Sequence, residues 1–153
     1  MGRARGSFGK GSAGGWWGIQ RVRLLFERGL LVQYPRSGRA IRSGFCEYEI
    51  ILPVPFYEDR RLKVEVYGRD EPRNVRVYAD GPTASPHRYP GGALCMWYPA
   101  DSREQRWEPR DGLVALIDLA VLHLFREAWW RETGRWPGAE AAHGDSKIQA
   151  KAS

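Results

Sequence analysis

The chain has 153 residues, enough for one domain with a moderate core, and its apolar fraction of 42% is that of a globular protein. Its formal net charge of +6 comes mostly from arginine, and arginines spread over strands and helices usually face water, so charge alone does not make a nucleic-acid binder. Two cysteines exclude a disulfide framework, no apolar run can span a bilayer, and Met1 to Gly15 lacks the apolar centre of a secretory signal, so a cytoplasmic, reducing setting is the default.

In chain order, residues 1–15 are rich in Gly, Ser and Arg and have little to bury. They are expected to form a disordered basic leader, with Arg3, Arg5 and Lys10 free to touch an acidic surface. Trp16 to Arg28 reads as a helix, with Trp16, Ile19, Val22 and Phe26 at helical spacing and Gly29 as its stop. Tyr34-Pro35 marks an extended turn. A weak strand lies in Arg39 to Arg42. Cys46, Tyr48, Ile50 and Leu52 then share one strand face against Glu47 and Glu49, and Pro53 and Pro55 end that strand. Leu62, Val64 and Val66 alternate with Lys63, Glu65 and Tyr67. After a turn at Gly68 to Pro72, Val75 and Val77 alternate with Arg76 and Tyr78. Short connections between such strands favour an antiparallel meander.

Asp80 to Gly92 holds Pro82, Pro86, Pro90 and the Gly91-Gly92 pair, the composition of a long, shaped loop. Asp111 reads as the N-cap of a long helix from Gly112 to Thr133, apolar on most sides and therefore expected to pack on the sheet as the core. Gly134 and Pro137 stop it. Residues 140–153 read as a loose polar tail. The organisation is thus α+β: leader 1–15, a domain over 16–139 made of a helix, a meander of three to four strands, a loop and a long helix, then the tail.

Cys95 lies at the end of the loop. A thiol just after a turn-rich polar segment is expected to be presented at a surface, and with His87 in the same loop it can be chemically active, because the thiolate is the nucleophile. Cys46 faces the predicted core and reads as inert packing. His123 reads as a surface or packing residue. Scattered cysteines and histidines do not make a zinc site, and Gly91-Gly92 leads into a cysteine rather than a helix, so neither a metal nor a nucleotide cofactor is expected.

The segment Ser85-Pro86-His87-Arg88-Tyr89-Pro90-Gly91-Gly92-Ala93-Leu94-Cys95 resembles the active-site segment of ubiquitin-conjugating enzymes, which carry His-Pro-Asn, a turn with Gly, and then the catalytic Cys. Pro86, Gly92 and Cys95 keep the family spacing, while Ser85 stands for the first His and His87 for the Asn. Trp107-Glu108-Pro109 resembles the family's Trp-x-Pro before its long helix, and Glu71-Pro72 its proline-marked entry to the last strand. The chain is more similar still to the small prokaryotic members found in CBASS antiphage defence operons. His87 to Cys95, Trp107 to Pro109 and Thr133-Gly134-Arg135-Trp136-Pro137-Gly138 carry that similarity, which spans roughly residues 16–144. The helices that follow the crossover helix in eukaryotic members are not expected within residues 140–153.

The resemblance implies a ubiquitin-conjugating-enzyme-like fold, shortened at its C-terminus, and a cysteine acyltransferase with a thioester intermediate. Cys95 would accept the C-terminal acyl group of a protein partner, in such operons a cGAS-like nucleotidyltransferase. His87 is implied as the second catalytic residue, donating to the oxyanion, orienting the loop or accepting a proton near neutral pH. Pro86, Tyr89, Gly92, Trp107 and Pro109 are implied as site-shaping, with Trp107 and Pro109 bracing the loop against the long helix. His143 follows the family's terminal pattern. The competing readings are a non-catalytic interaction module of the same fold, a basic nucleic-acid-binding domain with salt-dependent affinity, and a Cys-His hydrolase. The acceptor, any separate activating enzyme and the oligomeric state are open at this level.

Overall fold

The computed structural model describes residues 19–42, 45–67, 75–98 and 100–138. The leader, Trp16, the turn at Gly68 to Pro72, the tail and His143 lie outside the described residues. Along the chain come helix α1 (Gln20–Gln33), strands β1 (Ser37–Arg42), β2 (Phe45–Leu52), β3 (Arg60–Tyr67) and β4 (Val75–Ala79), a 3-10 turn (Pro109–Asp111) and helix α2 (Gly112–Thr133). The strands form one antiparallel sheet in the order β1-β2-β3-β4. The α+β meander is therefore as expected, with the weak Arg39–Arg42 strand as the fourth member.

Directly opposed residues of an antiparallel pair share a face. The register sets Tyr48 opposite Val64, Ile50 opposite Leu62, and Val64 opposite Val77. These side chains are buried and join Leu113, Leu116, Ile117, Ala120 and Leu124 of α2 in one cluster. Burying one such aliphatic side chain stabilises by about 1.5–3 kcal/mol, so this layer holds α2 across the sheet. Helix α1 packs on α2 and on the sheet edge: the Tyr48 hydroxyl donates to Glu27 at 2.8 Å, and Arg39 pairs with Glu27 at 3.0 Å. At Gly112 a Cβ would come within 2.6 Å of the Phe26 ring, and φ is +81°. Glycine is required there by both the close approach of α1 and the backbone.

Two boundaries differ from expectation. Helix α1 begins at Gln20, with Ile19 extended before it, and runs through Gly29 to Gln33. Gly29 sits inside the helix, and a Cβ there would make an ordinary contact with Val114 at 3.7 Å. The helix continues because Leu30, only 2% exposed, reaches the core. The stop falls instead at Tyr34, whose N–H bonds to the Leu30 carbonyl at 2.7 Å just before Pro35. Asp111 does not cap α2 with its side chain. Pro109 first starts the 3-10 turn, and the Asp111 carboxylate caps that turn by accepting the Glu108 N–H at 2.7 Å. Gly134 ends α2 in the left-handed conformation, as expected.

Candidate active site

The loop after β4 closes into a tight hairpin. Tyr89-Pro90-Gly91-Gly92 forms its turn, with the Gly92 N–H bonded to the Tyr89 carbonyl at 2.9 Å. Proline in second place and a residue of positive φ in third is the type II arrangement, and Gly91 supplies φ +96°. The Tyr89 N–H bonds to the Ala93 carbonyl at 2.9 Å and the Cys95 N–H to the His87 carbonyl at 3.0 Å, around an Arg88–Leu94 bridge. Leu94 is pinned to the sheet through the Val77 carbonyl at 2.8 Å. His87 and Cys95 thus face each other across a closed ladder, eight positions apart in sequence.

The expected exposure of the thiol is not what the fold provides. Cys95 is buried, with 8% of its surface accessible. It follows Ala93 and Leu94, both buried, so the end of the hairpin sinks toward the core. Burial pushes the thiol above its ordinary acidity range, a hydrogen bond from the Tyr89 hydroxyl partly offsets this, and the negative charge of Asp101 adds to it. The resting sulfur is therefore protonated near neutral pH, and forming the thiolate needs a base or a change of surroundings.

The other expected site residues fall around this thiol in different ways. The His87 ring packs on Trp136 with centroids 4.3 Å apart, and the His87 backbone N–H donates to the Ser85 hydroxyl at 3.1 Å. Trp136 also meets His123 edge-on at 5.4 Å, so the segment after α2 folds back to the hairpin. Tyr89 is 47% exposed yet reaches the thiol with its hydroxyl. Pro86 is exposed, and Gly92 also has positive φ. Trp107 is buried, donates its indole N–H to the Gly112 carbonyl at 2.9 Å, and meets Trp97, two residues beyond the thiol, at 6.0 Å. Pro109 opens the 3-10 turn. Cys46 is half-buried against the core cluster.

The strongest interactions in the region involve residues that the sequence reading did not single out. Glu127 of α2 is fully buried and binds Arg88 of the hairpin through two hydrogen bonds, of 3.0 and 2.6 Å. Arg88 also donates to the Gly92 carbonyl at 3.2 Å and the Pro82 carbonyl at 3.3 Å. Arg131 adds a 2.9 Å bond to Glu127 and a 3.3 Å bond to the Ala84 carbonyl. The His123 ring nitrogen lies 3.6 Å from the same carboxylate. Burial alone would raise the Glu127 carboxyl, but His123, Arg88 and Arg131 outweigh it and hold the group well below the ordinary carboxylate range. Of these, the Arg88 fork carries the most weight because its geometry is bidentate. The sequence does contain a signal: Glu127 follows Leu113, Leu116, Ile117, Ala120 and Leu124 on the buried stripe of α2, where a carboxylate needs a buried cation.

Two clefts, of about 400 and 470 Å³, lie elsewhere. They sit between the end of α1, the β2–β3 connection and the outer side of α2, and no hairpin residue lines either one. Among the described residues, no group of three His, Cys, Asp or Glu side chains is placed to hold a metal ion, and no helix is long and apolar enough to cross a membrane. Residues 42–144 match the family described as Type II CBASS E2 protein. No curated protein and no solved structure matches the chain.

Proposed function

The chain belongs to the Type II CBASS E2 family, E2-like proteins of antiphage defence, and on that premise we propose that Cys95 carries an acyl group as a thioester. Family membership implies a conjugating-enzyme-like role; the sulfur, its chemistry and its partner are our reading. The thiol gives up its proton to solvent or to the leaving group as the sulfur attacks an activated C-terminal carbonyl of a protein partner, the C–S bond forms, and the activating group leaves. An amine then attacks that carbonyl, the C–S bond breaks, and the released sulfur takes up the proton that the amine loses. The acyl donor we favour is a cGAS-like nucleotidyltransferase, and cytoplasmic action follows from that role.

The observation that carries this reading is the hairpin itself. It holds Cys95 by its own main chain, with the Tyr89 hydroxyl hydrogen-bonded to the thiol. The Cys95 N–H is already committed to the His87 carbonyl, so a donor for the oxyanion has to come from elsewhere. We assign that role to the Tyr89 hydroxyl. His87, seated on Trp136, orients the loop. The resting burial of the sulfur means that the incoming tail must displace covering side chains before it reacts.

The test is to incubate the protein with its neighbouring operon products and separate the mixture without reductant. A thiol-sensitive covalent band is expected, lost in Cys95→Ala and formed about a hundredfold more slowly in Tyr89→Phe, the usual cost of one oxyanion donor. A band that persists in Cys95→Ala ends the proposal, and salt-sensitive retardation of oligonucleotides with no band would replace it with nucleic-acid binding.

A further inference from the structure

We propose that Glu127 and Arg88 are positioning residues for Cys95, a clamp that fixes the height and tilt of the hairpin over α2; this rests on the thioester reading above. The main chain of residues 80 to 95 is tied to the sheet at its two ends, by the Asp80 N–H on the Arg61 carbonyl at 3.0 Å and the Leu94 N–H on the Val77 carbonyl at 2.8 Å. A loop held only there would swing. Instead, the carbonyls of Pro82, Ala84 and Gly92 are each taken by a guanidinium. Both guanidiniums, Arg88 and Arg131, converge on the Glu127 carboxylate. The Arg88 side chain is 5% exposed and that of Glu127 is 0% exposed.

The placement matters more than the bond strength. A buried ion pair gives little net stability, because desolvating both charges offsets most of the attraction. Apolar residues of similar volume would fill the same space at least as well. What apolar residues lack is direction: a planar fork accepts only one geometry against a carboxylate, and here the same guanidinium reaches both arms of the loop, at Pro82 and Gly92. Helix α2 is buried along one stripe through Leu113, Leu116, Ile117, Ala120 and Leu124, packed under the sheet. Glu127 lies one turn beyond Leu124 on that stripe and hands its fixed position to the hairpin. The thiol sits seven residues from Arg88 and one from Leu94, which closes the bridge opposite Arg88. A shift of the fork would therefore move the sulfur with it. Displacing a reacting atom by about 1 Å can cost a hundredfold in rate.

The test separates position from stability. Arg88→Met combined with Glu127→Met removes both charges, which is the change that a folded core tolerates best. Two rates are read on this variant and on the wild type: alkylation of Cys95 by iodoacetamide, and formation of the covalent adduct with the operon products. Urea unfolding is measured alongside. With unfolding midpoints matched, the clamp predicts opposite movements. Alkylation rises several-fold as the hairpin loosens and uncovers the thiol, while adduct formation falls about tenfold or more. A purely structural pair would leave both rates unchanged at matched stability, and that result overturns the proposal. Should the double variant fail to fold, Arg88→Lys keeps the charge and loses the fork, and the same divergence of rates is required of it. If the wild type forms no adduct, the thioester reading fails on its own, and the alkylation rates alone decide the clamp.

Discussion

Two turns of the same kind lie in this protein, and they are built differently. Val54-Pro55-Phe56-Tyr57, between β2 and β3, closes with the Tyr57 N–H on the Val54 carbonyl at 3.0 Å. Tyr89-Pro90-Gly91-Gly92 closes in the same way at 2.9 Å. Both put proline second and a residue of positive φ third, +68° at Phe56 and +96° at Gly91. That third position costs a residue with a side chain about 1–2 kcal/mol. The hairpin turn uses glycine and avoids the cost. The β2–β3 turn uses a phenylalanine that is 96% exposed and accepts it.

The anchors beside the two turns differ in the same sense. Next to the hairpin turn stands the buried Arg88–Glu127 pair. Near the β2–β3 turn, Arg36 pairs with Asp59, and both side chains are about half exposed, at 54% and 49%. Strain and loose ion pairs are tolerated where a connection only has to reverse the chain. Relaxed backbone and a desolvated pair appear where a side chain must be held in place.

The largest expected effect comes from the buried anchor. Glu127→Ala leaves Arg88 without its partner in a closed space and should cost about 3–5 kcal/mol in urea unfolding. Asp59→Ala should change stability by less than about 1 kcal/mol. Similar losses at the two sites would erase the contrast. The same carboxylate predicts a pH dependence. Its acidity is held on the strong side in the folded chain, so its contribution is complete above the unfolded value of about 4.3 and shrinks as the pH falls below it. A stability profile from pH 6 to pH 2 should therefore be flatter in Glu127→Gln than in the wild type.

The turns themselves give the smaller effects. Gly91→Ala should cost about 1–2 kcal/mol. All of this is backbone strain, since nothing lies within 4 Å of the added methyl. Phe56→Gly should go the other way and stabilise by up to about 1 kcal/mol, the relief of strain less the entropy that glycine adds to the unfolded chain. A loss of stability in Phe56→Gly would mean that its ring contributes packing that its exposure hides.

The elements were legible where local pattern decides them. The alternation around Tyr48, Ile50 and Leu52 and around Leu62, Val64 and Val66 marked β2 and β3, because one face of each strand packs under α2. Pro90-Gly91-Gly92 marked the hairpin, and Gly134 marked the end of α2. What escaped were choices made by distant partners. Gly29 looked like a stop because glycine so often ends helices, but Leu30 had a core to reach. Asp111 looked like a cap for α2, but Pro109 claimed it for the preceding turn. The Arg88–Glu127 pair joins residues 39 positions apart, and neither residue advertises the other. The depth of the sulfur escaped too, since a polar stretch before Cys95 says nothing of the buried Ala93 and Leu94 beside it.

The bond from the Leu94 amide to the Val77 carbonyl has one more consequence. Strand β4 is the last in the sheet, and an outer strand with open main-chain groups invites pairing with other chains. By occupying Val77, the arm that presents the sulfur also shields that border. Lesions that unseat this arm would then cost solubility as well as reactivity, and sticky, insoluble protein would be the first sign of them.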